Sequence, residues 1–199
     1  FSTLRGVPSQ VHAVIAGSQH MKKVLRKILP EHVLVETIYH HADPLLKPHQ
    51  AGEDSLKLAY IGEPESSKFI KGEIKDLNNV SFKDKEINWR EEIRNYNAHF
   101  SARVDPTKSV IKLSNVSALG AVFLTGPEPG CVELLGDSYP FYLNTPLTQK
   151  SVSDDVDYLK SMVGTKLWRE ARAQIENVKP NLTLDATARA YENLILSQL

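Results

Sequence analysis

Residues 107–136, TKSVIKLSNVSALGAVFLTGPEPGCVELLG, constrain the fold of this chain more than any other stretch. Thr107, Lys108 and Ser109 make a basic, hydroxyl-rich start to a helix that carries a second cation at Lys112 and ends at Gly120. The apolar run 121–124 follows, a short β-type segment bounded by turn signals that reads as a buried strand. A turn rich in Gly and Pro, 126–130, then opens another helix through Glu133 and Leu134. Helix, buried strand, small-residue turn and new helix make one step of a doubly wound sheet. Ligands of such sheets bind at the carboxyl ends of the strands, and the residues here suit a phosphorylated, hydroxylated one.

The remainder repeats the alternation. Residues 11–16 form a β-branched apolar run closed by Gly17 and Ser18. Ser18 is placed to cap a helix whose apolar positions, Met21, Val24, Leu25, Ile28 and Leu29, recur at helical spacing as far as Pro30. Residues 33–39 are β-rich. The polar stretch 42–55, with Pro44, Pro48 and Gly52, is the best boundary in the chain. It separates an end-piece and hinge, 1–50, from a main domain, 51–199. Strands are expected there at 56–61, 80–82, 98–104 and 121–124, with a short helix starting at 63–68 and another over 87–96. A short edge strand at 139–143 is interrupted by Pro140, and the region 150–199 is helical with breaks near Gly164 and Pro180. Asn181 or Thr183 caps the last helix, whose stripe Leu184, Ala188, Tyr191, Leu194 and Ile195 needs a surface to cover. That helix is expected to return to residues 1–40. The fold class is α/β: a doubly wound, parallel, Rossmann-like sheet with a helical C-terminal region.

Composition narrows the function. Twenty-four basic and 24 acidic side chains cancel, so no global field favours nucleic acid or an anionic membrane, and phosphate affinity must come from local placement. A single cysteine, Cys131, excludes an internal disulfide and fits a reducing, cytoplasmic setting. No apolar run approaches the ~20 residues that span a bilayer, which leaves peripheral membrane association open. The chain opens at Phe1 without a charged-then-apolar leader and reads as a segment of a longer protein, or one whose start is missing.

The passages SALGAVFL (117–124) and PEPGCVEL (127–134) resemble the helix, ALG, apolar strand, GG or GP turn and Glu-Leu sequence in the donor-sugar half of GT-B glycosyltransferases. AVIAGS (13–18) with the helix after it is similar to the last strand and helix before that family's interdomain crossover. YHHADP (39–44) stands where the family has its hinge, and residues 184–199 resemble its terminal helix. The resemblance spans nearly the whole chain. It implies transfer of a sugar from a nucleoside diphosphate donor to an acceptor hydroxyl of a glycan, lipid or protein, without a required metal or other cofactor. The acceptor side and the general base are expected mainly from a preceding Rossmann-like domain.

Candidate binding residues follow. Gly62 ends the first strand of the main domain and Lys68 lies in the loop after it, where the family's loop approaches the donor diphosphate; helix N-termini and ammonium groups bind anions. Arg103, Thr107, Lys108, Ser109 and Lys112 concentrate phosphate-compatible groups, with Lys108 in the first helical turn facing the diphosphate and Lys112 one turn on along the same face. The family's Glu-x7-Glu pair falls on Thr107 and Asn115, neither of them acidic. Asn115 and Glu133 are candidate ribose contacts, Glu128 and Gly130 line the turn near the nucleotide, and His41 stands at the hinge cleft beside His40. Adjacent histidines without a spaced partner do not make a zinc site. Trp89 and Trp168 read as packing anchors. No catalytic residue is assigned. Two other readings compete: a partner domain that kept the fold without catalysis, supported by the missing acidic pair, and a nucleotide-sugar epimerase of the same fold.

Overall fold

The computed structural model describes residues 10–62, 77–81, 88–105 and 108–197. Lys68, Thr107 and the helix start expected at 63–68 lie outside the described residues. Within them the strands form two parallel sheets. One pairs β1 (Ala13–Ala16) with β2 (Leu34–Thr37), Ala13 opposite Leu34. The other is four-stranded, in the order β4 (Leu77–Val80), β3 (Leu58–Ile61), β5 (Ala98–Ser101), β6 (Val122–Thr125). Every residue of β3, β5 and β6 is buried, as expected of parallel strands covered on both faces. The chain passes from β3 to β4 on one side and then crosses to β5 on the other. Strand order therefore reverses between β3 and β5, and the crevice outside their carboxyl ends is where open α/β sheets hold ligands.

Seven helices are described: α1 (Gln19–Arg26), α2 (Trp89–Glu92), α3 (Ile111–Leu119), α4 (Pro129–Leu135), α5 (Gln149–Ser161), α6 (Lys166–Val178) and α7 (Leu184–Leu196). Ser18 caps α1 as its sequence predicts, accepting the Met21 N–H at 3.0 Å. Of the two residues that could cap α7, Thr183 does so, accepting the Ala186 N–H at 3.1 Å. Gly120 ends α3 with φ +66, a left-handed conformation that glycine adopts without Cβ strain. The core surrounds the larger sheet, with Trp168 of α6 fully buried and its ring 6.2 Å from that of Phe141. A smaller core, built on Ala16, Leu25, Leu29, Val33 and Val35, holds the β1–α1–β2 unit.

Three expectations change. α3 begins at Ile111, not at 107, because the Lys108 N–H turns back to the Asp105 carbonyl at 3.3 Å. Lys108 thus precedes the helix, Lys112 is its first-turn cation, and the two share no helical face. The edge strand at 139–143 contracts to a bridge between Thr125 and Tyr142, since Pro140 has no N–H to continue a ladder. The Thr187 hydroxyl of α7 donates to the carbonyl of Tyr39, just after β2, at 3.1 Å. Of the five stripe residues of α7, though, only Leu194 is buried. The stretch 42–55 is anchored: His49 N–H donates to Leu119 O at 2.9 Å, Gln50 N–H to Arg94 O at 2.8 Å, and Arg90 pairs with Asp43 at 2.7 Å.

Candidate ligand site at the carboxyl ends of the strands

α3 is buried almost all round, through Leu113, Ser114, Asn115, Val116, Ser117 and Leu119. A lysine at its second position is therefore directed inward. Lys112 Nζ lies 3.7 Å from the centroid of the Tyr60 ring of β3, a close cation–π approach. The nitrogen is buried and has no hydrogen-bond partner among the described residues. Burial lowers the Lys112 pKa to about 7; the nearby Arg103 guanidinium adds to the fall and Glu128 opposes it. Glu128 precedes Pro129 at the start of α4 and is only 8% exposed. Among the described residues its Oε1 is buried without a hydrogen-bond partner, and its Oε2 receives a long contact from the Cys131 thiol at 3.9 Å. Burial raises the Glu128 pKa to about 7, against the pull of Arg103 and Lys112 and with some help from Asp105. His99 of β5 is also buried, with both ring nitrogens unpartnered. Burial, with His49 and Lys112 adding, pushes it down to about 3, so it is neutral.

A buried charge without a partner costs several kcal/mol unless something compensates it. Here Lys112 Nζ and Glu128 Oε1 lack hydrogen-bond partners among the described residues, with Lys112 set over Tyr60 of β3. Gly62 closes β3 beside them with φ +147, a backbone that favours glycine. Arg103 follows β5 from the other side of the crevice. Arg103, Lys112 and Glu128 thus converge, and Gly62 lies against the Tyr60 ring that Lys112 covers. Sequence reasoning named all four but missed Tyr60 and His99. The available signal was a lysine inside an otherwise apolar and small-residue helix.

The other candidates are placed elsewhere. Lys108 and Ser109, with His40 and His41, line a cavity of about 540 Å3 between the β1–α1–β2 unit and the main domain, with Val14 and Met21 among its apolar walls. His41 Nδ1 lies 2.6 Å from the Ala42 carbonyl oxygen. Asn115 is engaged inside the chain, its Oδ1 accepting the Asp43 N–H at 3.0 Å. Glu133 sits at the N-terminus of α1, accepting the Gln19 N–H at 2.8 Å, the His20 N–H at 3.3 Å and the Tyr39 hydroxyl. A carboxylate there complements the helix dipole; burial and the adjacent carboxylate raise the Tyr39 pKa. Gly130 lets α4 approach the start of α3, since a Cβ on it would lie 2.7 Å from Val110 Cγ1. Among the described residues no group of three or more His, Cys, Asp or Glu side chains could hold a metal ion, and no helix is long and apolar enough to cross a membrane.

No protein-family model matches the chain, and no curated protein sequence matches it. Solved structures do. The chain superimposes on a glycosyltransferase from Rickettsia africae with a TM-score of 0.66 at 14% identity, covering 98% of this chain and 68% of that one. Sucrose-phosphate synthase from Thermosynechococcus elongatus matches with a TM-score of 0.61 at 11% identity, covering 94% of this chain and 58% of that one. The GtfA/B complex matches at the same TM-score of 0.61 and 11% identity, covering 94% of this chain and 45% of the other. The chain therefore has a GT-B-like glycosyltransferase fold of the α/β, Rossmann-like class, and spans between about half and two thirds of these proteins' lengths.

Proposed function

We propose that this chain is the donor-binding part of a glycosyltransferase, holding a nucleoside diphosphate sugar in the crevice between β3 and β5 and transferring the sugar to an acceptor hydroxyl. The observation that carries this reading is the convergence of Arg103 and the first turn of α3 on the point where strand order reverses. That turn has no side-chain cap, and helix N-termini commonly bind anions. A guanidinium and oriented amides stabilise the charge that develops on a departing diphosphate. The cavity lined by His40, His41, Lys108 and Ser109 forms the near wall of the acceptor cleft. The acceptor and the base are supplied mainly by a preceding domain.

Titration of the chain with UDP, GDP and ADP, followed by amide shifts and melting temperature, tests this. One nucleotide is expected to move both observables at millimolar concentration. Silence to all of them favours the second reading, a non-catalytic partner domain of the same fold. A specific observation supports that alternative: Asn115 and Glu133, the two candidate ribose contacts, are engaged by Asp43 and by α1 and Tyr39.

A further inference from the structure

The buried ends of Lys112 and Glu128 are complementary: among the described residues Nζ, set over the Tyr60 ring, carries donors without a hydrogen-bond acceptor, and Oε1 is an acceptor without a donor. The groups facing them come from every surrounding element. β3 supplies Tyr60, β5 and its end supply His99, Arg103 and Asp105, α3 supplies Lys112, and the start of α4 supplies Cys131 beside Glu128. His99 is neutral, and burial holds the Cys131 thiol protonated with a pKa pushed up to about 12. Neither offers Glu128 a counter-charge.

The missing partner can be specified chemically. A phosphate oxygen accepts from Lys112 but repels Glu128. An ammonium does the reverse. A hydroxyl donates to the carboxylate and accepts from the amine at once, and both bonds are charge-assisted when the pair is ionised. We propose that Glu128 and Lys112 together grip a hydroxyl of the sugar whose diphosphate lies at Arg103, which makes Glu128 the residue that distinguishes a sugar nucleotide from the bare nucleotide. This rests on the nucleotide-sugar reading above. It also explains why a carboxylate tolerates so buried a position beside the phosphate-binding cations: its partner arrives with the ligand. Water has the same donor and acceptor capacity as a sugar hydroxyl, so the test must separate the two.

The experiment is calorimetric titration of the full chain with UDP, GDP and ADP and with UDP-glucose, GDP-mannose and ADP-glucose, repeated on Glu128→Gln. In the wild type one sugar nucleotide is expected to bind. In Glu128→Gln its affinity falls about tenfold, the loss expected for a hydrogen bond to a charged group, while the matching bare nucleotide changes by less than about twofold. Glu128→Asp, which keeps the charge but withdraws it by one methylene, gives the same selective loss and serves if the Gln variant does not fold. Equal losses for both ligands, or none for either, overturn the hydroxyl assignment, show that Glu128 meets only water or protein, and leave the donor-binding reading standing. A wild-type chain that binds neither class overturns both.

Discussion

The two ends of α3 are built on opposite terms. At the carboxyl end the last carbonyls and the charges beside them are paired, although His49 Nδ1 is buried there without a hydrogen-bond partner among the described residues. Gly120 turns the chain, its carbonyl accepts from Arg172 Nε at 3.0 Å, and Arg172 also pairs with Glu53, which receives the Trp168 indole N–H at 3.4 Å. The preceding Leu119 carbonyl is taken by His49 N–H at 2.9 Å. At the amino end there is no side-chain cap, and a buried ammonium and a buried carboxylate oxygen lack hydrogen bonds among the described residues. One end is organised for stability. The other keeps polar groups in low dielectric at a cost, which is the pattern expected where a ligand completes the structure.

The contrast predicts a graded series. Trp168→Ala should cost the most, about 3–5 kcal/mol by urea denaturation, since it empties a fully buried site at the satisfied end. A loss below about 1 kcal/mol would mean that α6 is not the anchor claimed here. Arg172→Met should cost less, about 1–3 kcal/mol, through the unpaired Gly120 carbonyl and Glu53 carboxylate it leaves behind. An unchanged denaturation midpoint in that variant would remove the distinction between the two ends.

The sign reverses at the amino end. The double substitution Lys112→Met and Glu128→Gln removes two unfavourably buried ionisable groups and should stabilise the chain, with a rise in melting temperature of about 2–4 °C for each kcal/mol recovered. The pH dependence follows from the direction of each shift. Glu128 rises from 4.5 to about 7, so its cost appears as pH climbs above 4.5 and is complete above 7. Lys112 falls from 10.5 to about 7, so its cost is complete below 7 and fades as pH climbs toward 10.5. The stabilisation should therefore peak near pH 7 and decline towards both extremes. Melting curves from pH 5 to 10 that show a flat difference between variant and wild type would contradict the burial of these groups.

How much of this the sequence revealed depends on the range of the interaction. The alternation of strands and helices, the Ser18 cap, the Gly120 stop and the anchoring role of Trp168 are set by local chemistry and by period, and they are legible in the chain. Helix α3 starting at Ile111 is not, because a turn from Asp105 to Lys108 competes with the first helical turn and propensity does not separate them. The engagement of Glu133 at the N-terminus of α1 joins residues 114 apart, and pattern alone gives no hint of it. The same holds for Lys112. Its spacing from Lys108 suggests one helical face turned to a shared ligand, whereas packing turns Lys112 inward over Tyr60 and leaves Lys108 exposed ahead of the helix.

That divergence gives the smallest predicted effect. Lys108→Ala removes an exposed side chain that lines the cavity with His40 and His41 rather than the crevice at β3 and β5. Its stability should stay within about 0.5 kcal/mol of wild type, as for surface positions away from special features. Its affinity for a nucleoside diphosphate should change by less than about threefold, because an exposed charge in high dielectric acts weakly over distance. Lys112→Met should weaken the sugar-bearing form of that nucleotide by about tenfold, since it removes one of the two groups that hold the sugar hydroxyl. Calorimetry on both variants, at low and at physiological salt, checks the ranking. If Lys108→Ala lost more affinity than Lys112→Met, the diphosphate would lie in the cleft between the β1–α1–β2 unit and the main domain, and the unpartnered groups at the amino end of α3 would need a different occupant.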